Sequence, residues 1–130
     1  MDYKSPINWF GGKYYMAKDI IELFPEHKVY VEVFGGACHI LFRKQTSEIE
    51  VYNDIDSGLV SFFRVLRDEN KAEKLKNLLD LTPYSREEFY NCRDTWKDET
   101  NEIERVRKWY TCVMQSFSSN FSTWSHSKTK

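Results

Sequence analysis

Several features are scarce in this 130-residue sequence, and each scarcity excludes a class of protein. No apolar run approaches the ~20 residues that a membrane-spanning helix needs. The three cysteines are widely spaced, and they form neither a disulfide framework nor a zinc-binding pattern. The first residues lack the apolar segment of a signal peptide. We therefore expect one domain in the reducing cytoplasm, without a membrane segment.

Net charge is also scarce. The sequence has 19 Lys and Arg against 20 Asp and Glu, a net charge of −1, which excludes nucleic-acid binding by bulk charge alone. The last acidic residue is Glu104, and five basic residues follow it: Arg105, Arg107, Lys108, Lys128 and Lys130. This segment is either a solvated helix end with a basic tail or a surface that meets phosphate or an acidic partner.

Hydrophobic residues make up 41% of the chain and aromatic residues 16%, enough for a packed core. Their spacing predicts strands at 29–33 and 48–53, a sharp turn at 34–37, an irregular end at 116–127, and helices at 13–24, 38–44, from about 57, 70–80, 85–97 and 102–117. Strands that alternate with helices predict a parallel α/β sheet. Because two strands alone make a poor sheet, we expect part of a larger α/β domain.

The histidines and cysteines predict no metal site. His27, His39 and His126 share no ligand spacing and are better interpreted as solvated or capping residues. Cys38, Cys92 and Cys112 are better interpreted as small apolar fillers than as nucleophiles.

The first segment with chemical potential is Asn8-Trp9-Phe10-Gly11-Gly12-Lys13. Its glycines allow a close backbone approach or a positive φ. Lys13 begins a predicted helix, where a cation opposes the helix dipole, and this favours a ligand with a carboxylate or phosphate. A plain turn with a packed Trp9 is the alternative.

The second and third segments follow the two predicted strands. Glu32-Val33-Phe34-Gly35-Gly36-Ala37-Cys38 is a strand that runs into a glycine turn, and Asp54-Ile55-Asp56 follows the next strand. Cofactors with nucleotide parts bind at such carboxyl ends, and an acid about 20 residues past the turn can accept hydrogen bonds from ribose hydroxyls. A tight turn and a helix cap are the alternatives, but together the segments predict a site for an adenosine compound.

These three segments, in this order, resemble motifs of the Dam-like DNA adenine-N6 methyltransferases, which use S-adenosylmethionine (SAM). The resemblance implies an α/β fold, namely a partial Rossmann-like SAM-methyltransferase domain with an additional helical segment. It implies a SAM site formed by Trp9, Lys13, Phe34, Gly36 and Asp54, with Lys13 near the carboxylate of SAM and Asp54 on its adenosine side.

The resemblance extends more weakly to residues 105–121, which are similar to the family's helix leading into its DNA-recognition region. It implies that double-stranded DNA is a partner and that Arg105, Lys108 and Asn120 contact it. Ser119-Asn120 stands in the place of an aromatic-Asn pair, so a base-wedging aromatic is missing there. We expect residues 1–68 to be the SAM-binding part and residues 69–130 the helical part of one unit.

The sequence departs from the family at two motif positions that matter for catalysis and cofactor binding. The Asp/Asn-Pro-Pro-Tyr/Phe tetrapeptide that holds the target adenine does not occur, and Pro6, Pro25 and Pro83 are single. Cys38 replaces a turn glycine, where a side chain can crowd the cofactor or alter the turn. We therefore expect no catalytic residue, and no methyl transfer by the chain alone.

Three interpretations follow: a truncated adenine methyltransferase, one half of a split enzyme, or a repurposed fragment that acts by binding, such as a phage anti-defence inhibitor. A homodimer or a protein partner is expected, because apolar side chains exceed what two strands can cover. The ones in question are Phe62, Phe63, Val65, Leu66, Val113, Met114 and Phe117.

Overall fold

The structure is a computed structural model that describes residues 3–125. It consists of two compact units, divided between Ser57 and Gly58. This boundary follows the first residue of helix α2 (Ser57–Leu66). The division of roles that the sequence suggests, with residues 1–68 as the SAM-binding part, stays a prediction. In the part of the chain that the structure describes, no helix combines the length and the apolar composition of a membrane span.

The first unit contains a short helix and a two-stranded sheet. Helix α1 (Ala17–Glu22) precedes strands β1 (Val29–Glu32) and β2 (Ile49–Tyr52). The strands pair in parallel, with Val29 opposite Ile49 and Glu32 opposite Tyr52. The predicted strands and their parallel pairing are therefore confirmed, while a complete Rossmann-like sheet stays a prediction.

Two predicted helices of this unit differ from the structure. The helix expected over 13–24 spans only Ala17–Glu22. Ahead of it, the Tyr14 carbonyl accepts a 2.8 Å hydrogen bond from the Arg43 guanidinium. The prediction of a helix over 38–44 is wrong, because the segment forms successive turns instead. It begins at Cys38 with a left-handed φ of +59°, which an α-helix cannot include.

The two faces of the sheet differ in how far their side chains are buried. On one face Glu32 is buried and Tyr30 and Tyr52 are half-buried, and the Lys44 ammonium lies 4.5 Å from the centre of the Tyr30 ring. The opposite face carries only aliphatic side chains at its strand positions and the residue that follows β1, and all of them are exposed. We call this the aliphatic face: Val29, Val31, Val33, Ile49 and Val51.

The second unit is helical. After α2 come α3 (Glu69–Asp80), α4 (Arg86–Thr95) and α5 (Glu102–Gln115), followed by a 3₁₀ turn at Phe117–Ser119. Each of α3, α4 and α5 begins with a side chain that accepts a backbone N–H of the first turn, which satisfies an otherwise free donor. These caps are Asp68, Ser85 and Asn101.

Helices of the second unit enclose a core of their own. Ten of its apolar residues are at most 3% exposed: Leu59, Phe62, Val65, Leu75, Phe89, Cys92, Val106, Trp109, Cys112 and Val113. The expectation that Phe62, Val65 and Val113 lack cover is therefore wrong, because helix packing covers them. Phe117, by contrast, is 65% exposed.

Candidate functional site

The turn after β1 is fastened to the end of β2 by three hydrogen bonds. Asn53 donates its backbone N–H to the Glu32 carbonyl and its side-chain amide to the Val33 carbonyl, each at 2.8 Å. The Asn53 carbonyl in turn accepts the Gly35 N–H at 2.8 Å. The sequence places these residues about 20 positions apart, and the parallel register brings them together.

Asp54 completes this attachment. Its Oδ2 accepts the Gly36 N–H at 2.9 Å, and its Oδ1 accepts the Asp56 N–H at 2.9 Å. Gly36 has a φ of +50°, and a Cβ there would lie 3.3 Å from Cδ1 of Trp9. Glycine thus serves both the left-handed turn and the close approach of the indole ring.

The first glycine pair approaches the same turn. The Trp9 carbonyl accepts the Gly12 N–H at 3.0 Å, and the Lys13 ammonium donates to the Phe34 carbonyl at 3.1 Å. Lys13 therefore lies against the turn that follows β1, across 21 residues of sequence.

A cavity of about 230 Å³ lies between these two glycine turns. The structure brings all the residues predicted to bind SAM to its wall: Trp9, Lys13, Phe34, Gly36 and Asp54. Their part in cofactor binding stays a prediction, but their assembly around one cavity is a feature of the fold.

Glu32 also lines the cavity, and sequence reasoning did not assign it a role. Its Oε1 accepts the Tyr30 hydroxyl at 3.0 Å, whereas its Oε2 is buried without a hydrogen-bond donor among the described residues. Burial raises the pKa of this carboxyl. The Tyr30 hydroxyl, the Lys13 and Lys44 charges and the Leu41 N–H only partly oppose that effect. A charged residue between two valines of a strand was the signal that could have identified it.

His39 is a second cavity residue that sequence reasoning missed. Its ring is buried, and Nε2 would lie 3.0 Å from a Cβ at Gly12, so Gly12 permits the contact. Burial and the nearby charges of Arg43 and Lys13 lower the pKa of His39. The wall therefore presents a neutral imidazole at neutral pH.

Cys38 does not line the cavity. Its side chain is buried, and burial raises the pKa of the thiol well above its ordinary range. The side chain therefore leaves the cavity clear of crowding, while its backbone takes the left-handed conformation that a glycine would adopt without strain.

The residues predicted to contact DNA all lie in the second unit. Arg105 donates to the Ser61 hydroxyl at 2.6 Å and stands 5.1 Å from the centre of the Trp96 ring. The Lys108 ammonium lies 2.8 Å from Glu99, with 14% of its side chain exposed. Asn120 is exposed, while Lys128 and Lys130 lie outside the described residues.

Residues 116–125 form a tight loop. Ser116 pairs with Trp124 in an antiparallel bridge, and Ser118, Ser119 and Phe121 have φ values of +49°, +56° and +63°. Phe121 and Trp124 pack against the core formed by Phe89, Cys92 and Cys112. Among the aromatic residues of this loop, Phe117 is the exposed one.

These features define the class of site. A glycine turn follows one parallel strand, and an acid at the end of the next strand holds it, which is the arrangement of sites for nucleotide-like cofactors. Residues 9–122 match the D12 class N6 adenine-specific DNA methyltransferases, and the chain belongs to that family.

Three relatives illustrate the similarity. Modification methylase StsI of Streptococcus sanguinis is 23% identical over 125 residues, covering 91% of this chain and 18% of the relative. DNA adenine methylase of Vibrio cholerae is 35% identical over 66 residues, 51% of this chain and 24% of the relative. DNA adenine methylase of Salmonella typhi is 28% identical over 100 residues, 70% and 36% respectively. The chain thus spans between about a fifth and a third of these relatives' lengths.

Proposed function

We propose that this chain binds SAM in the cavity between its two glycine turns, as the cofactor-binding part of an adenine-N6 methyltransferase. The observation that carries the proposal is the assembly of Trp9, Lys13, Phe34, Gly36 and Asp54 around one cavity. They come from three separate motifs, and membership of the family supports SAM as the ligand.

The polar groups of the cavity fit the charges of SAM. The buried Oε2 of Glu32 has no donor among the described residues, and an ammonium group would satisfy it. The Lys13 ammonium suits a carboxylate, and the Trp9 ring offers a flat apolar surface for a heterocycle. When bound, SAM would supply an activated methyl group.

Asp54 retains capacity for a ligand although it holds the turn. Each of its carboxylate oxygens accepts one backbone N–H, and each oxygen has two lone pairs. Two ribose hydroxyls could donate to the remaining positions. Asp54 would then join the ligand, the glycine turn and the end of β2.

We further propose that the chain alone transfers no methyl group. The sequence contains no paired prolines, and hence no group of the Asp-Pro-Pro-Tyr kind to accept hydrogen bonds from the adenine amino group. Loss of such a group removes rate rather than cofactor affinity. This absence also supports the two other readings, half of a split enzyme and a fragment repurposed for binding.

Duplex DNA is the proposed partner of the second unit. Asn120 and Phe117 are exposed on the tight loop, so Phe117 offers the aromatic surface that Ser119 does not. To contact phosphates, Arg105 would have to leave the Ser61 hydroxyl and Lys108 would have to leave the Glu99 carboxylate.

Isothermal titration with SAM tests the proposal. The chain should bind SAM, and Lys13→Met should weaken binding, whereas Lys18→Met, an exposed lysine of the same unit, should not. Absence of binding, or equal affinity of both variants, would contradict the proposed site.

A labelled-methyl assay on adenine-containing DNA separates the three interpretations. No transfer by the chain alone is expected. Transfer on addition of a second chain that carries the tetrapeptide would favour the split enzyme. A chain without SAM affinity would favour the repurposed fragment.

A further inference from the structure

The first unit has a second cavity, of about 780 Å³, at the end of the sheet where the two strands begin. Its wall comes from residues 24–28 ahead of β1 and residues 44–47 ahead of β2, together with Ile21 of α1. All of these residues belong to the first unit. The cavity is separate from the proposed cofactor site, which lies where the strands end.

Ser47 and His27 contact each other in this wall across 20 residues of sequence. The Pro25 carbonyl, which can only accept a hydrogen bond, lies 2.8 Å from Nδ1 of His27, so Nδ1 carries the proton of the neutral imidazole. Nε2 is then the acceptor, and it lies 3.0 Å from the Ser47 hydroxyl. Ser47 therefore donates its hydroxyl proton to a ring nitrogen that a backbone carbonyl orients.

The Lys44 ammonium places a positive charge beside the same hydroxyl. Its side chain is 2% exposed, and Nζ lies 2.8 Å from the Ser47 oxygen. Its other protons go to Oε1 of Glu50 at 2.5 Å and to the Gln45 carbonyl at 2.8 Å, so the ammonium is held in place. A fixed cation stabilises the negative charge that develops on an oxygen as it loses its proton.

These contacts have the form of an activated nucleophile, in which a base binds the hydroxyl and a third group orients the base. Ser47 is half-buried and His27 is exposed, and both line the cavity. A purely structural link between the segments ahead of the two strands is the alternative. The two differ in whether the Ser47 oxygen reacts.

We propose that Ser47 is a nucleophile that takes the acyl group of a carboxylic ester bound in this cavity, with His27 as its general base. The Ser47 oxygen forms a bond to the ester carbonyl carbon, and its proton passes to Nε2 of His27. His27 gives that proton to the leaving alcohol oxygen as its bond to the carbonyl carbon breaks. Water then attacks the acyl-serine in the same way, His27 passes a proton from water to the Ser47 oxygen, and the carboxylic acid leaves.

The wall suits an ester with a short apolar acyl chain. Ile21, Phe24 and Pro25 supply apolar surface, and the cavity has the size of a small-molecule site. Gln45 and Thr46 also line it, and their backbone N–H groups donate to no acceptor among residues 3–125. These two donors are therefore available to the carbonyl oxygen, on which charge develops during the attack.

Labelling with a fluorophosphonate tests the nucleophile, because an activated serine oxygen displaces the fluoride of this reagent and stays bound to phosphorus. Intact mass spectrometry should show one adduct per chain, and peptide mapping should place the adduct on Ser47. Ser47→Ala and His27→Gln should lose the label. Ser118→Ala, which replaces an exposed serine of the second unit, should keep it.

Hydrolysis of p-nitrophenyl butyrate gives a second readout. The parent chain and Ser118→Ala should release p-nitrophenol at the same rate. His27→Gln should reduce that rate at least about 100-fold, the lower end of what a general base contributes, and Ser47→Ala should reduce it at least as much. Circular dichroism spectra confirm that each variant is folded.

No adduct on the parent chain, or an adduct that maps to another residue, would overturn the proposal and leave the contacts as a structural link. So would a folded Ser47→Ala chain that hydrolyses the ester like the parent. A parallel SAM titration on the same samples tests the cofactor site separately, because neither Ser47 nor His27 lines that cavity.

Discussion

At the scale of single residues, the Asp54 carboxylate makes two structural contacts, one with each oxygen. It holds the turn through Gly36 and orders the segment after β2 through Asp56. A residue that only capped the following segment would not bind Gly36. A residue that only bound a ligand would leave both carboxylate oxygens free of backbone N–H groups. Its geometry shows that the glycine turn depends on a side chain from the neighbouring strand.

Replacement of Asp54 by alanine should weaken SAM binding. The substitution leaves the Gly36 N–H and the proposed ribose hydroxyls without an acceptor, a loss of about 1–3 kcal/mol. Isothermal titration against Asp19→Ala, an exposed acid of α1, measures the effect. Unchanged affinity in Asp54→Ala would place the ligand elsewhere.

Glu32 makes stability depend on pH in a direction opposite to that of an ordinary ion pair. Its folded-state pKa lies above the ordinary value of 4.5 because of burial. Its stabilising contribution is therefore complete below pH 4.5 and is lost as the pH rises through the raised pKa. The ligand-free chain should lose free energy of unfolding over that range.

Glu32→Gln should remove this component. Denaturant unfolding of both chains from acid to neutral pH gives the difference curve. Glu50 affects stability at lower pH. Burial tends to raise its pKa, but hydrogen bonds from Lys44 and the Ser47 N–H lower it overall. Its stabilising contribution is therefore lost as the pH falls below 4.5. Glu50 is present in both chains, so its contribution cancels in the difference curve. A flat difference curve would contradict the raised pKa.

At the scale of elements, α2 and α5 meet at a glycine. A Cβ on Gly58 would lie 2.0 Å from Nε1 of Trp109, a buried indole at the centre of the helical core. Helix propensity alone would favour alanine over glycine here. The contact favours glycine, because Trp109 is 1% exposed and lies in a packed core.

Gly58→Ala should therefore destabilise the chain by about 1–3 kcal/mol, the usual effect of overpacking a core. Chemical denaturation against Asn70→Ala, an exposed position of α3, measures it. Equal or greater stability of Gly58→Ala would show that α2 shifts away from Trp109 without loss.

Local signals explain which elements were predictable. Ser85 followed by Glu88 predicted the start of α4, and the Ser85 hydroxyl does accept the Glu88 N–H at 3.0 Å. The segment 38–44 has helical spacing, but its start is fixed by the left-handed Cys38, which no local pattern shows. The bond between the Tyr14 carbonyl and Arg43, just ahead of α1, is likewise a tertiary contact that no local pattern shows.

At the scale of the whole molecule, the basic segment after Glu104 is less free than its sequence suggests. Acids that precede it in the chain pair with it: Glu99 with Lys108, and Glu88 with Arg107. The order of charges in the sequence suggests an unpaired basic segment, but in the fold acidic residues from earlier in the chain pair with it.

Release of Lys108 should therefore strengthen any binding of duplex DNA. Glu99→Gln removes its partner, whereas Asp98→Asn makes the same charge change at the exposed neighbouring position. The affinity of Glu99→Gln should rise more, and its log–log salt dependence should steepen by about 0.9 for one new phosphate contact. Identical curves for the two variants would exclude Lys108 from the DNA interface.

The site was more predictable than its surroundings. Trp9, Lys13, Phe34, Gly36 and Asp54 carry motif positions, and the parallel register brings such positions to one end of the sheet. Glu32 opens the second motif segment but was assigned no role there, and His39 lies outside the three segments. The cavity revealed both as wall residues. The aliphatic face was not predictable, because the sequence alone does not tell which side of a short sheet its own chain covers.

The attachment of the turn to β2 has a consequence for hydrogen exchange. Amide protons in glycine turns usually exchange within the time of mixing, since water reaches them freely. The Gly35 and Gly36 amides are instead donated to Asn53 and Asp54. Their exchange should be slow and should match that of the paired strands. Two loop protons would then report whether the proposed ligand site is already assembled before any ligand arrives.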